Sequence, residues 1–98
     1  MQVIFGGHDM AQLHFTRQLA RFLAAPSVMV DAADLRSALE AAFAQQPLLR
    51  GYVVDEQGRL RQHVAVFIDG LRCRDRLLLG DPLRPDSEVH VLQALSGG

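Results

Sequence analysis

Ninety-eight residues, 49% of them apolar and 21% charged, with a formal net charge of −1, describe one small folded domain with a single modest core. This balance excludes a disordered chain, and a near-neutral charge supplies no basic field of the kind that draws a protein to nucleic acid. No apolar run reaches the length of a membrane span, and the amino end has neither the basic start nor the continuous apolar stretch of a signal peptide, so a cytoplasmic protein without a membrane partner is expected.

The first ten residues, MQVIFGGHDM, hold a short apolar run and a Gly-Gly break, which fits either a brief extra strand or a loose leader. From Gln12 the pattern sharpens. Leu13 and Phe15 alternate with polar neighbours, as a half-buried strand requires. After Pro26-Ser27, Val28 to Val30 read as a second strand, and the two suggest an opening hairpin with TRQLARFLAA as a long, partly apolar connection.

A helix follows in DAADLRSALEAAFAQQP, with Asp31 placed as N-cap and Asp34 adding negative charge near the positive end of the dipole. Leu35, Ala38, Leu39, Ala42 and Phe43 form one apolar stripe over about three turns. Pro47 ends it at or before Gln46. The segment LLRGYVVDEQGRLRQ reads as short extended pieces around a turn at Asp55-Glu56-Gln57-Gly58.

HVAVFIDGLRCR gives a strand with Val64, Val66 and Ile68 on one face and Ala65 and Phe67 on the other, the mark of a central position. Asp69-Gly70 signals a type I′ hairpin turn, and Leu71 and Cys73 alternate with Arg72 and Arg74 along a return strand. DPLRPDSE supplies loop and turn, and VHVLQ makes a last strand with Val89 and Val91 inward. The sequence then ends in ALSGG.

One helix with one apolar stripe covers one face of a sheet, so this element order predicts an α+β, β-grasp (ubiquitin-like) domain over residues 1–98. A mixed sheet of four to five strands wraps one main helix, its first and last strands side by side at the centre. Residues 1–10 are the leader and residues 94–98 a projecting carboxyl tail.

From about Gln12 onward the sequence resembles the ThiS/MoaD family of ubiquitin-like sulfur carriers. The resemblance rests on the capped helix ending in QQPLL, the acidic-Gly turn of DEQGRL, HVAVFIDG, DPLRPDSEVHVL and the terminal SGG, in that order and spacing. Relatives often carry glycine where this chain has Ser87, and a proline- and alanine-rich lead-in where it has Gln93, Leu95 and Ser96. The resemblance implies a carrier rather than an enzyme, or the small subunit of a synthase, with chemistry at the carboxylate of Gly98. A ThiF/MoeB-like activating enzyme would adenylate that carboxylate with ATP, and a persulfide donor would convert it to a thiocarboxylate. An acceptor synthase of molybdopterin, thiamin, cysteine or secondary-metabolite biosynthesis would then take the sulfur. The carrier itself binds no cofactor and has no catalytic side chain.

Two glycines suit this chemistry on physical grounds. An end that must thread into an active site and bring its carbonyl to a phosphate, then to a sulfur nucleophile, is best served by Gly97-Gly98, because glycine lacks Cβ and permits close backbone approach. The readings left beside the carrier are a protein modifier conjugated to lysines and an interaction module that is never activated.

Arg72, Arg74 and Arg76 alternate on the return strand and read as a solvated face or as a docking stripe for an acidic patch on the activating enzyme. Leu92 beside the tail and Leu95 within it read as ordinary single exposed leucines or as apolar contacts for the same partner. His8, His14, His63 and His90 show no short metal-ligand spacing, so no metal site is expected. Cys73, the one cysteine, rules out an internal disulfide and reads as a small buried residue. All ten basic residues are arginine, which reflects codon usage in a GC-rich genome or leaves the protein without a lysine amine to capture its own activated end.

Overall fold

Alternating side chains at the start of the chain build the first strand, β1 (Ala11–Phe15), whose Ala11, Leu13 and Phe15 enter the core. The computed structural model describes residues 10–20 and 27–93. The leader, apart from Met10, lies outside them, as do residues 21–26 of the first connection. Part of that connection forms a short helix, α1 (Arg17–Ala20), which buries Leu19. The second strand, β2 (Ser27–Val30), pairs antiparallel with β1, matching Val28 to Leu13 and Val30 to Ala11.

The main helix, α2 (Leu35–Gln45), buries the whole stripe Leu35, Ala38, Leu39, Ala42 and Phe43. Its N-cap is Asp34, not Asp31: the Asp34 carboxylate accepts from the Ser37 amide at 2.8 Å, because helical backbone starts only at Leu35. The other free amides of the first turn are met by a distant loop, Leu35 N–H donating to Asp81 O and Arg36 N–H to Leu79 O, each at 2.9 Å.

Pro47 both stops α2 and starts another helix. In α3 (Pro47–Val53) the proline takes the first helical position, where its missing N–H costs nothing, and Leu49 and Val53 are buried. The expected extended pieces over 48–53 are therefore helical instead. Beyond them the Asp55–Gly58 turn forms as expected, with the Gly58 amide donating to Asp55 O at 3.0 Å and Gly58 at φ 82°.

Three strands complete the sheet: β3 (Val64–Ile68), β4 (Leu71–Arg72) and β5 (Glu88–Gln93). Asp69 and Gly70 both take positive φ, 51° and 88°, as a type I′ hairpin requires. The return strand is shorter than its alternation suggests. After Arg72, Asp75 and Asp81 draw the backbone into a loop: Asp81 accepts from the Arg74 and Asp75 amides, and Asp75 from those of Leu77, Leu78 and Gly80. Cys73 is buried, but Leu71 is exposed at the end of the edge hairpin.

Strand order is β2-β1-β5-β3-β4, with β1 and β5 parallel at the centre and every other pair antiparallel. One face of this sheet meets α2 and α3 through a single cluster containing Leu13, Leu39, Val66, Val89 and Val91. The opposite face stays open. Register places Met29, Gln12 and Glu88 on it, then His14 beside His90, then Leu92 beside Ala65, with Phe67 and Arg72 beyond.

Candidate functional site

Strand β5 is held on both sides, by β1 in parallel and by β3 antiparallel, and its Val89 and Val91 side chains are fully buried. Gln93, the last described residue and the end of this best-anchored strand, is therefore the exit toward residues 94–98. Residues 94–98, including Leu95, Gly97 and Gly98, lie outside the described residues, and so does the expected projecting tail.

Beside that exit the open face forms a groove of about 350 Å³, lined by Val64, Ala65, Phe67, Arg72, Leu92 and Gln93. Leu92 sits directly across from Ala65 and is 37% exposed. Across the groove the Arg72 guanidinium lies over the Phe67 ring, 5.7 Å from its centre, so the hollow has an apolar floor and a cationic wall. Arg72 also lines a second hollow, of about 600 Å³, with Arg59, Arg76 and Leu77.

The three-arginine stripe is thus broken. Strand β4 ends at Arg72, and the Arg76 guanidinium turns back to donate to Arg61 O at 2.7 Å. Arg74 is exposed and lines neither hollow. Structure brings Arg72 and Leu92 together, a grouping that the spacing of 72, 74 and 76 does not foretell.

Burial first, and then the nearby Asp81 carboxylate, push the Cys73 thiol above its ordinary value, which keeps it protonated and unreactive. His63 is exposed and lines the groove by the tail, while His8 lies outside the described residues. His14 and His90 meet across β1 and β5 with stacked rings, 4.6 Å between centroids and 16° between planes. Sequence spacing hides that pair, because its members belong to the first and last strands.

No protein-family model matches the sequence, and a search of curated proteins finds no match. Solved structures do match. The crystal structure of SAMP1 from Haloferax volcanii superposes with a TM-score of 0.79 at 25% identity, covering 91% of this chain and 99% of that one. The chain has the ubiquitin-like β-grasp fold of the ThiS/MoaD type.

Two further ubiquitin-like neighbours share that fold at lower identity. A chain from the Amycolatopsis orientalis BexX/CysO complex gives a TM-score of 0.79 at 15% identity, covering 90% of this chain and 99% of that one. Urm1 from Sulfolobus solfataricus gives 0.67 at 13% identity, covering 85% and 99%. Two other solved neighbours are described as small archaeal modifier proteins, from Haloferax volcanii and Methanosarcina acetivorans. Among the described residues of this chain, no helix is long and apolar enough to cross a membrane.

Proposed function

We propose that this protein is a cytoplasmic ubiquitin-like sulfur carrier whose Gly98 carboxylate is the working group. What supports the reading is that β5, the central strand, is described to Gln93 at the edge of a groove of mixed apolar and cationic character, and that five further residues ending in Gly97-Gly98 follow it in the sequence. Five residues reach at most about 17 Å when extended, enough to thread a narrow cleft while the sheet face docks outside it.

A free carboxylate is a poor acyl donor, since oxide must leave. Attack of the Gly98 carboxylate oxygen on the α-phosphorus of ATP, with departure of pyrophosphate, gives an acyl-adenylate whose AMP leaves readily. A persulfide sulfur on a donor protein then displaces AMP, and reductive cleavage of the resulting acyl disulfide by a thiol releases the thiocarboxylate. The side chains of this protein enter none of these bond changes. Gly97 and Gly98 keep the path open, and Arg72 and Leu92 position the globule against a ThiF/MoeB-like activating enzyme. Leu95 would touch the same partner. An acceptor synthase would take the sulfur.

A second reading has its own support. The SAMP1 neighbour at 25% identity belongs to proteins described as small archaeal modifiers, and a modifier would pass the same adenylate to a lysine amine. A chain with no lysine cannot conjugate to its own side-chain amines under either reading.

ATP–pyrophosphate exchange catalysed by the activating enzyme from the same cell tests the shared first step. Exchange should depend on this protein and vanish when Gly98 is removed; exchange undiminished by that deletion would overturn the assignment.

A further inference from the structure

On the open sheet face, His14, Glu88 and His90 form a cluster independent of the carboxyl end. Each offers one ligand atom, and the three atoms lie within 4.8 Å of one another. Register makes this grouping obligatory. In the parallel β1–β5 pair, His14 stands opposite His90, and Glu88 precedes His90 by two residues, which returns its side chain to the same face. Both strands are central and carry fully buried neighbours, Leu13, Val89 and Val91, so their backbones hold the three Cα positions rigidly.

The donor atoms show how the cluster is poised. His14 Nε2 lies 3.3 Å from Glu88 Oε1, yet the two are not aligned as a hydrogen bond, and Nε2 is shut off from solvent without any hydrogen-bond partner. A buried imidazole nitrogen left in this way costs free energy unless something meets it. Donors around a tetrahedral Zn²⁺, at about 2.0–2.1 Å from the metal, sit roughly 3.3 Å apart, so this pair already has the spacing of two ligands. His90 is exposed and stacked on His14, and rotation about its side-chain bonds carries its ring nitrogen the remaining distance.

We propose that His14, His90 and Glu88 bind a divalent transition-metal cation, of which Zn²⁺ is the probe of choice. Two imidazoles and one carboxylate select a borderline ion over Mg²⁺ or Ca²⁺, which take oxygen ligands. Three protein ligands on an open face leave the fourth position to water, so the site exchanges its ion with solvent rather than locking it in as a structural centre. Around it stand Gln12, Ser27 and Phe67, none of which adds a competing charge.

Isothermal titration of Zn²⁺ into the full-length protein at neutral pH, with Mg²⁺ as the contrasting ion, tests the site. One Zn²⁺ should bind per chain, and His90→Ala and Glu88→Gln, both at exposed positions, should each weaken it at least tenfold. His63→Gln should leave it unchanged. Ring-nitrogen NMR of the wild-type chain reads the same site without any substitution: Zn²⁺ should shift the His14 and His90 signals and spare His63. Absence of Zn²⁺ binding, binding equal in His90→Ala and the wild type, or shifts confined to His8 or His63 would each overturn the proposal.

Discussion

Asp69 and Ser87 join the turn of the β3–β4 hairpin to the start of the exit strand: the Ser87 hydroxyl donates to one Asp69 oxygen at 2.8 Å, and the Glu88 amide to the other at 2.9 Å. Ser87 is itself buried, and its Oγ also accepts from the Arg84 amide at 2.8 Å. Its side chain thus ties three segments together. Asp69→Ala removes both acceptors and places a Cβ without a local hydrogen bond at positive φ. It should lower unfolding free energy by about 1–2 kcal/mol, with Asp69→Asn losing less, as read from urea denaturation.

Four carboxylates are held below their usual range in the folded chain, chiefly by backbone amides. Ser37 serves Asp34, Arg59 serves Asp55, Glu88 serves Asp69 and Leu78 serves Asp75. A carboxyl group with a lower value folded than unfolded contributes stability that is fully present above its unfolded value, about 3.9, and lost as pH falls through the folded one. The urea midpoint should therefore be unaffected by these groups between pH 7 and 5 and decline below about pH 4. A midpoint rising on acidification would contradict the assignment.

Gly58 has φ 82°, and a Cβ placed there would meet Arg36 Nη1 at 3.0 Å. Arg36 donates from Nη2 to Gly58 O at 2.7 Å and from Nε to Leu78 O at 2.9 Å, clamping two loops onto the start of α2. Gly58→Ala should cost about 1–2 kcal/mol, mainly from the backbone conformation, and thermal melting would show it.

Leu39 is almost fully buried on the central stripe of α2. Its replacement by alanine should cost about 2–5 kcal/mol, the range for a core leucine whose surroundings collapse only in part.

On the open face the expectation is the reverse. Arg72→Glu and Leu92→Thr alter exposed positions in the groove beside the exit and should change stability by no more than about 0.5 kcal/mol. Both should slow adenylation by the activating enzyme, Arg72→Glu mostly through the association rate and its salt dependence. Unchanged kinetics in both would remove this groove from the docking surface.

Elements with strong local signals were legible. The Leu35 to Phe43 stripe, the Asp69-Gly70 turn and the inward Val89 and Val91 each follow from a period or a dihedral demand that neighbouring residues impose. Helix α3 was not, because seven residues containing Gly51 carry too little periodicity to distinguish a helix from extended chain, and its stability comes from burying Leu49 and Val53. The extent of β4 also escaped, since Asp75 and Asp81 end the strand by hydrogen bonds formed across the loop. His14 and His90 escaped for a third reason: spacing rules seek ligands close in sequence, whereas strand pairing sets 14 opposite 90.

Intact-mass spectrometry of the protein isolated from its own cell, grown under sulfur demand, reads the fate of the acid group at Gly98. A species heavier by one oxygen-to-sulfur exchange is expected, absent when Gly98 is deleted, while the melting temperature of the deletion variant stays that of the wild type. A ladder of conjugates without that species would favour the modifier reading, and an unmodified mass under the same conditions would contradict the claim.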